Sequence, residues 1–263
     1  MNYELLCTKV MAITRLTGNF IRKEGMSFDS NSIEYKGLND MVSYVDKTAE
    51  RQLVRNLTKL LPGAGFITEE DETVNSKGEV FTWIIDPLDG TTNFIHGIPT
   101  YSVSIALYEN NEPVIGVVYE INRGEMFYTY KGGAAYLNNK EIRVSNATDL
   151  SQSLLATGFP YYQFDKQPQY IKLFTDMMQK CHGLRRIGSA AVDLAYVACG
   201  RFDAYFEYNL NSYDIAAGAY LVQQAGGQVM TFNGEKDFIE KREILATNGL
   251  VTKEILDTIK KHF

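Results

Sequence analysis

The sequence predicts an α+β fold, a layered α/β/α/β/α sandwich with a mainly antiparallel N-terminal sheet and a C-terminal α/β half. Three observations point there: two amphipathic helical stretches open the chain, four β-rich runs follow in close succession, and strand and helix patterns then alternate to the end. Five alternating layers fit this order, a count that periodicity alone leaves open. The chain has 263 residues and no internal repeat or low-complexity linker. It therefore reads as a single domain, 1–263, whose halves (1–145 and 146–263) share one core.

The first helix is expected over residues 1–24, where Leu5, Leu6, Ile13, Leu16, Phe20 and Ile21 recur at spacings near three and four before Gly25 stops it. A second is expected from Val45 to Leu61, with Ala49, Leu53, Leu57, Leu60 and Leu61 on its buried face; Pro62, Gly63 and Gly65 then break the chain. Val, Ile, Tyr and Phe dominate 81–85, 101–108, 114–119 and 125–130, and turn residues separate these runs, as in Glu109-Asn110-Asn111 and Asn122-Arg123-Gly124. They read as strands of an antiparallel sheet. Beyond them a strand at 153–157, helices at 167–180 and 190–199, a strand at 203–207, a helix at 214–225 and a strand at 227–232 make the α/β half.

Composition excludes several classes. Hydrophobic residues are 45% and charged residues 22%, as in soluble globular chains. Lys and Arg number 26 against 32 Asp and Glu, a net charge of −6 with no long basic run, so no nucleic-acid partner is expected. No apolar run approaches the ~18 residues of a membrane span. Charges at Glu4, Lys9, Arg15, Arg22, Lys23 and Glu24 interrupt any signal-peptide core, so a cytoplasmic protein with no membrane partner is expected. Cys7, Cys181 and Cys199 are too scattered for a zinc knuckle and too few for a disulfide framework. With three histidines (His96, His182, His262) and no Gly-x-Ser-x-Gly elbow, a serine hydrolase is disfavoured, and neither Gly-x-Gly-x-x-Gly nor a P-loop occurs.

The remaining chemistry lies in carboxylates. Thr68-Glu69-Glu70-Asp71-Glu72 is dense in acid, which by itself fits a solvated loop. Trp83 to Phe94 reads WIIDPLDGTTNF, in which a hydrophobic strand delivers Asp86, Pro87 forces a turn, and Asp89 follows three residues on. Two aspartates so close repel, and a cation relieves the repulsion. With oxygen ligands and no nearby His or Cys, that cation is a hard one, Mg²⁺ or Mn²⁺. Gly90-Thr91-Thr92-Asn93 then looks like a loop entering a short helix, whose N–H groups suit an anion; a tight turn with Asp89 and Thr91 as caps is the alternative. Asp214 opens a helix in Tyr213-Asp214-Ile215-Ala216-Ala217-Gly218, where capping alone would explain it, and Ser189 is the expected cap of the helix at Gly188-Ser189-Ala190-Ala191.

Taken together, Glu69-Glu70, Asp86-Pro87-Leu88-Asp89-Gly90-Thr91-Thr92 and Asp214-Ile215-Ala216-Ala217-Gly218 resemble the inositol monophosphatase family, lithium-sensitive and Mg²⁺-dependent phosphomonoesterases, in a bacterial-type member. The likeness runs from the first helix through Val42-Ser43-Tyr44-Val45-Asp46 to Gly226-Gly227. It implies Glu69, Asp86, the Leu88 carbonyl, Asp89 and Asp214 as ligands of two or three Mg²⁺ ions. Gly90 and Thr91 would bind phosphate through backbone N–H groups, and the Thr91 hydroxyl, hydrogen-bonded to Asp46, would help to orient and deprotonate water. Glu70 would stand near that water, and Ala190, Glu207 and Asp214 would meet the hydroxyls of the substrate. Two metals ~3.5–4 Å apart clamp the entering and leaving oxygens, which predicts in-line attack by water with inversion at phosphorus.

The resemblance further implies a small phosphorylated metabolite as substrate, foremost myo-inositol 1-phosphate, and a homodimer. The same scaffold serves enzymes acting on the 2′-phosphate of NADP, the 1-phosphate of fructose 1,6-bisphosphate and the 3′-phosphate of adenosine bisphosphates. An adenine would want an aromatic shelf such as Tyr161 or Tyr162. A non-catalytic metabolite-binding regulator on the same fold is the reading from another class; it would be marked by a lost metal carboxylate, and none is lost. Tyr213 stands where many members carry Trp, Thr68 where many carry Gly, and Lys36 sits near a lysine used around the metals.

Overall fold

The structure, a computed structural model, describes residues 1–27, 33–37, 40–160 and 164–263; the side chains of residues 33–42 and of Glu72 also lie outside the description. Tyr161, Tyr162 and the side chain of Lys36 therefore lie outside the described residues. Helix α1 (Tyr3–Gly25) begins at Asn2, whose side chain accepts from Leu5 N, and the hairpin β1 (Ile33–Gly37) and β2 (Asp40–Ser43) leads into α2 (Tyr44–Leu60). A seven-stranded sheet follows in sequence order. Its strands are β3 (Gly65–Thr68), β4 (Phe81–Asp89), β5 (Ser102–Glu109), β6 (Glu112–Glu120), β7 (Glu125–Tyr130), β8 (Ala135–Leu137) and β9 (Lys140–Ile142), with α3 (Thr91–Ile95) between β4 and β5. Only the β3–β4 pair is parallel; the other neighbours are antiparallel hairpin partners.

The second half contributes β10 (Leu154–Thr157), α4 (Gln167–Lys180), β11 (Gly183–Arg185), α5 (Ala190–Ala198), β12 (Ala204–Tyr208), α6 (Ser212–Gln224), β13 (Gln228–Met230), α7 (Phe238–Lys241), β14 (Glu243–Thr247) and α8 (Thr252–Ile259). Its sheet runs in the order β11-β10-β12-β14-β13, parallel on the β11-β10-β12 side and antiparallel at β12-β14-β13. Strands β10, β12 and β13 fall within a residue or two of expectation, except that β13 stops at Met230. The layers alternate as expected. Leu53, Leu57 and Val10 of α1 and α2 pack on Trp83, Ile105 and Val117 of the first sheet. Leu194 and Val197 of α5 and Ile215, Ala217 and Leu221 of α6 fill the space between the two sheets. Tyr170, Leu173 and Met177 of α4 and Ile255 of α8 cover the outer face of the second sheet.

One expectation needs correction. Pro87 was expected to turn the chain, yet β4 runs on through Asp86-Pro87-Leu88-Asp89, pairing Asp86 with Ser104 and Asp89 with Ser102. Two residues, Pro87 and Leu88, stand where the partner strand has one, Val103, so the ladder is bulged. Proline has no N–H to lose at a bulge, which is why it is tolerated inside a strand there. The turn falls instead at Gly90, whose φ of 96° is left-handed and open to glycine at no steric cost. The hairpin β1–β2, the short strands β3, β8, β9 and β11, the interior strand β14 and the helices α7 and α8 were not marked in the sequence.

Candidate active site

The site forms where four chain segments end against one another. Strand β4 delivers Asp86, buried to 2% exposure, with its Oδ1 accepting from Leu88 N at 2.9 Å across the bulge. Asp89 closes the strand and reaches α5: its Oδ2 accepts from Ser189 Oγ at 2.5 Å and from Ala191 N at 2.7 Å. Ser189 is the cap of α5, as expected, and its hydroxyl lies 3.3 Å from Val192 N. Next to Gly90, α3 begins at Thr91, and Asn93 fastens it by donating to the carbonyls of Thr100 (2.7 Å) and Ile187 (2.8 Å).

The start of α2 is locked to the same place. Ser43 caps the helix, and Asp46 accepts from Ser43 N (2.9 Å) and Ser43 Oγ (2.5 Å), a reciprocal box that satisfies the first-turn donors. The second oxygen of Asp46 stands 2.9 Å from Thr91 Oγ1, so the expected Thr91–Asp46 hydrogen bond is present; Thr91 Oγ1 also lies 3.0 Å from the Leu88 carbonyl. One turn along α2, Glu50 accepts from the backbone N–H groups of Glu70 (2.8 Å) and Asp71 (2.9 Å) and so holds the acidic loop after β3 in place. Asp214 sits in the first turn of α6, third in the helix and not its cap, and accepts from Asn211 N at 2.6 Å. That bond is a capping one, as the sequence allowed.

Negative charge is concentrated, with Arg186 acting on Asp89 and Arg242 on Asp214 as counter-charges. Enclosure raises the Glu69 carboxyl well above its ordinary value, and the charges of Asp214 and Glu70 push the same way. Asp86 is raised likewise by burial, then by Glu69, Asp89 and Asp214. Burial lifts Asp89 to about 6 against the hydrogen bonds from Ser189 and Ala191, and lifts Asp214 to about 8 with help from Asp89. An all-oxygen set of four mutually repelling carboxylates, with the Leu88 carbonyl beside them, has the donor chemistry of a hard divalent cation site. The acids are not arranged as a ready-made cage: among the described residues no group of three or more such side chains stands that way.

Beside the acids opens a cleft of about 120 Å³ lined by Asp89, Asp214, Ala190, Glu207, Asp193 and Arg186, among others. Of the residues singled out in the sequence, Asp89, Ala190, Glu207 and Asp214 thus share one cleft. Glu69, Glu70 and Asp86 join them through electrostatic contact, and Asp46 and Thr91 through the helix starts. Glu207 accepts from the Tyr205 hydroxyl, and burial pushes its carboxyl up to about 7. Gly158 makes room for it, since a Cβ there would lie 2.0 Å from Glu207 Oε2. His96 is exposed just past α3, as expected of a loop residue.

Residues 3–263 match the description "Inositol monophosphatase family". The chain belongs to the inositol monophosphatase family. It is 40% identical over 246 residues to "Nus factor SuhB" of Pasteurella multocida, covering 94% of this chain and 92% of that protein. It is 38% identical over 229 residues to "Inositol-1-monophosphatase" of Mesorhizobium japonicum, covering 87% and 86%. Among solved structures, the extragenic suppressor protein suhB of Bartonella henselae superposes with a TM-score of 0.91 at 36% identity, covering 97% of this chain and 99% of that one. The family and its fold were thus legible in the motifs. The expectation of no nucleic-acid partner gains no support from relatives named Nus factor. No described helix is long and apolar enough to cross a membrane.

Two cleft residues escaped the sequence reading. Arg186 lies with its guanidinium 5.6 Å over the Phe159 ring and draws the Asp89, Asp193 and Glu207 carboxyls downward in pKa. Asp193 is 2% exposed on α5. A signal for it existed: it is the one charge in Ala190-Ala191-Val192-Asp193-Leu194-Ala195-Tyr196-Val197-Ala198, a helix otherwise apolar all round.

Proposed function

We propose that the chain hydrolyses a small phosphate monoester, foremost myo-inositol 1-phosphate, to the alcohol and inorganic phosphate. The convergence of Glu69, Asp86, Asp89 and Asp214 beside a polar cleft carries this reading, and family membership supports it. Those four carboxylates and the Leu88 carbonyl would hold two or three Mg²⁺, with Mn²⁺ able to replace it. When bound, Mg²⁺ supplies charge neutralisation for the phosphate dianion and acidifies a water.

The chain's own residues do the rest. Gly90 and Thr91 offer backbone N–H groups at the start of α3, where a helix leaves donors without intrahelical partners. Thr91 Oγ1, donating toward Asp46 Oδ1, keeps its lone pairs to accept from the attacking water. Burial raises Asp46 despite its hydrogen bonds from Ser43 and Thr91, so it can receive the proton that Thr91 relays. Glu70 stands beside Glu69 to orient that water. Glu207, Ala190 and Asp214 receive the alcohol. Holding water and phosphorus in line converts an encounter into an oriented reaction, with inversion at phosphorus; retention in a chiral thiophosphate would reject it. The expected homodimer and lithium inhibition belong to the same proposal, and sedimentation at the monomer mass would remove the first.

Phosphate release from inositol 1-phosphate, NADP, fructose 1,6-bisphosphate and adenosine 3′,5′-bisphosphate, with and without Mg²⁺, tests the reading. Mg²⁺-dependent release that Asp89→Asn abolishes is the expected result, and the ranking of kcat/KM names the substrate class. Silence across the panel in folded, Mg²⁺-supplied protein overturns it. The name Nus factor on several relatives supports a second reading, a role of the kind that name denotes, which need not use turnover. Asp89→Asn separates the two, because only the phosphatase role is lost with it.

A further inference from the structure

Asp193 shares the cleft but has no part in the phosphate chemistry above. It sits in the first turn of α5, 2% exposed, among the buried Ala190, Ala191, Val192, Leu194 and Ala195. Its Oδ1 is buried and has no hydrogen-bond partner, although native structures leave few such atoms unpaired. Packing does not call for an acid there, since every neighbour on the helix up to Ala195 is apolar. The cleft wall around it is fixed: Tyr205 donates to Glu207, Gly158 closes against Glu207, and Arg186 lies over Phe159. Asp193 also lines the cleft, so a ligand seated there can bring a hydroxyl donor to this unsatisfied side chain.

We infer that Asp193 is a specificity residue for the leaving alcohol, its unpartnered carboxylate oxygen accepting a hydrogen bond from a free hydroxyl of a polyhydric substrate. The inference rests on the phosphatase reading and adds to it a residue that reads the free hydroxyls of the substrate's alcohol. Four carboxylates, Asp89, Asp193, Glu207 and Asp214, line the cleft with a single guanidinium, Arg186. That balance favours neutral hydroxyl donors over a second phosphate group.

The test compares inositol 1-phosphate with cyclohexyl phosphate, the same ring without free hydroxyls, in wild type, Asp193→Asn and Asp193→Leu. A site built around a substrate hydroxyl rejects the analogue lacking it. Wild type is expected to prefer the inositol ester at least tenfold in kcat/KM. Asp193→Leu lowers that preference about tenfold, mainly through KM, and Asp193→Asn, which keeps an acceptor oxygen, restores most of it. Equal use of both esters by the wild type overturns the inference and leaves the phosphatase reading standing, whereas turnover of neither overturns that reading and the inference with it. A parallel loss on both esters in Asp193→Leu, with Asp193→Asn at wild-type preference, marks a packing role and also overturns it. Should Asp193→Leu fail to fold, the smaller Asp193→Ala carries the same comparison.

Discussion

Thr91 Oγ1 has one proton and two acceptors within reach, Asp46 Oδ1 at 2.9 Å and the Leu88 carbonyl at 3.0 Å. Its value to the proposed reaction is that donation to Asp46 leaves it free to accept. Thr91→Ala is therefore expected to lower kcat by about 10²–10⁴, the usual worth of general acid–base assistance, with little change in KM. Asp46→Asn should cost nearly as much, and the double variant no more than the larger single, because the two act as one unit. Additive losses in steady-state kinetics would refute the relay. At this scale the resemblance supplied the pair, and the spacing of Asp86 and Asp89 alone suggested a cation. Arg186 and Asp193 were less visible, because what makes them cleft residues is Phe159 and Glu207, which the fold brings from elsewhere.

Helix α6 shows how an element carries a site residue. Its first turn holds Asp214, and its next residues are small because two surfaces press on them. A Cβ on Gly218 would lie 2.5 Å from Leu194 Cβ of α5, and one on Gly116 of β6 would lie 2.9 Å from the Ala217 carbonyl. Gly218→Ala overpacks this seam and is expected to destabilise by about 1–3 kcal/mol; an unchanged midpoint in urea unfolding would count against it. The Ala-Ala-Gly run is plain in the sequence, although the helix that presses on it is not. Strand β4 shows the opposite limit. Pro87 reads as a turn by local preference, and only the ladder to β5, which tolerates a bulge, keeps it in the strand. Three-residue strands such as β8, β9 and β11 carry too short a pattern to be read at all.

Across the whole molecule, the outer layer is fastened by the chain's end. His262 Nε2 and Lys180 Nζ both lie 3.2 Å from Asp176 Oδ2, and Lys180 reaches Thr258 Oγ1 at 3.1 Å, joining α4 to α8 and the residues after it. The hydrogen bond from His262, then that from Lys180, holds the Asp176 carboxyl below the ordinary carboxylate range. A carboxyl lowered in the folded state stabilises it above the unfolded pKa of about 3.9 and ceases to as pH falls through the folded value. Asp176→Asn is thus expected to weaken stability at pH 7, with the difference from wild type shrinking as pH falls below the unfolded carboxyl value; urea titrations at pH 7 and in acid check it. A difference that persists in acid would mean packing, not charge, is what is lost.

The sequence by itself determined the helices up to α6, the long strands of the first sheet and the family. Periodicity is local, and the motifs at Glu69, Asp86 and Asp214 are short and contiguous. Tertiary structure decided that β4 continues through Pro87, that Glu50 holds the acidic loop, that Ser189 binds Asp89 across 100 positions, and that Asp193 is left with an unpaired oxygen in a cleft. The reason is physical. Each of these depends on a partner far along the chain, and burial and hydrogen-bond satisfaction belong to the neighbourhood a residue is folded into, not to the residue.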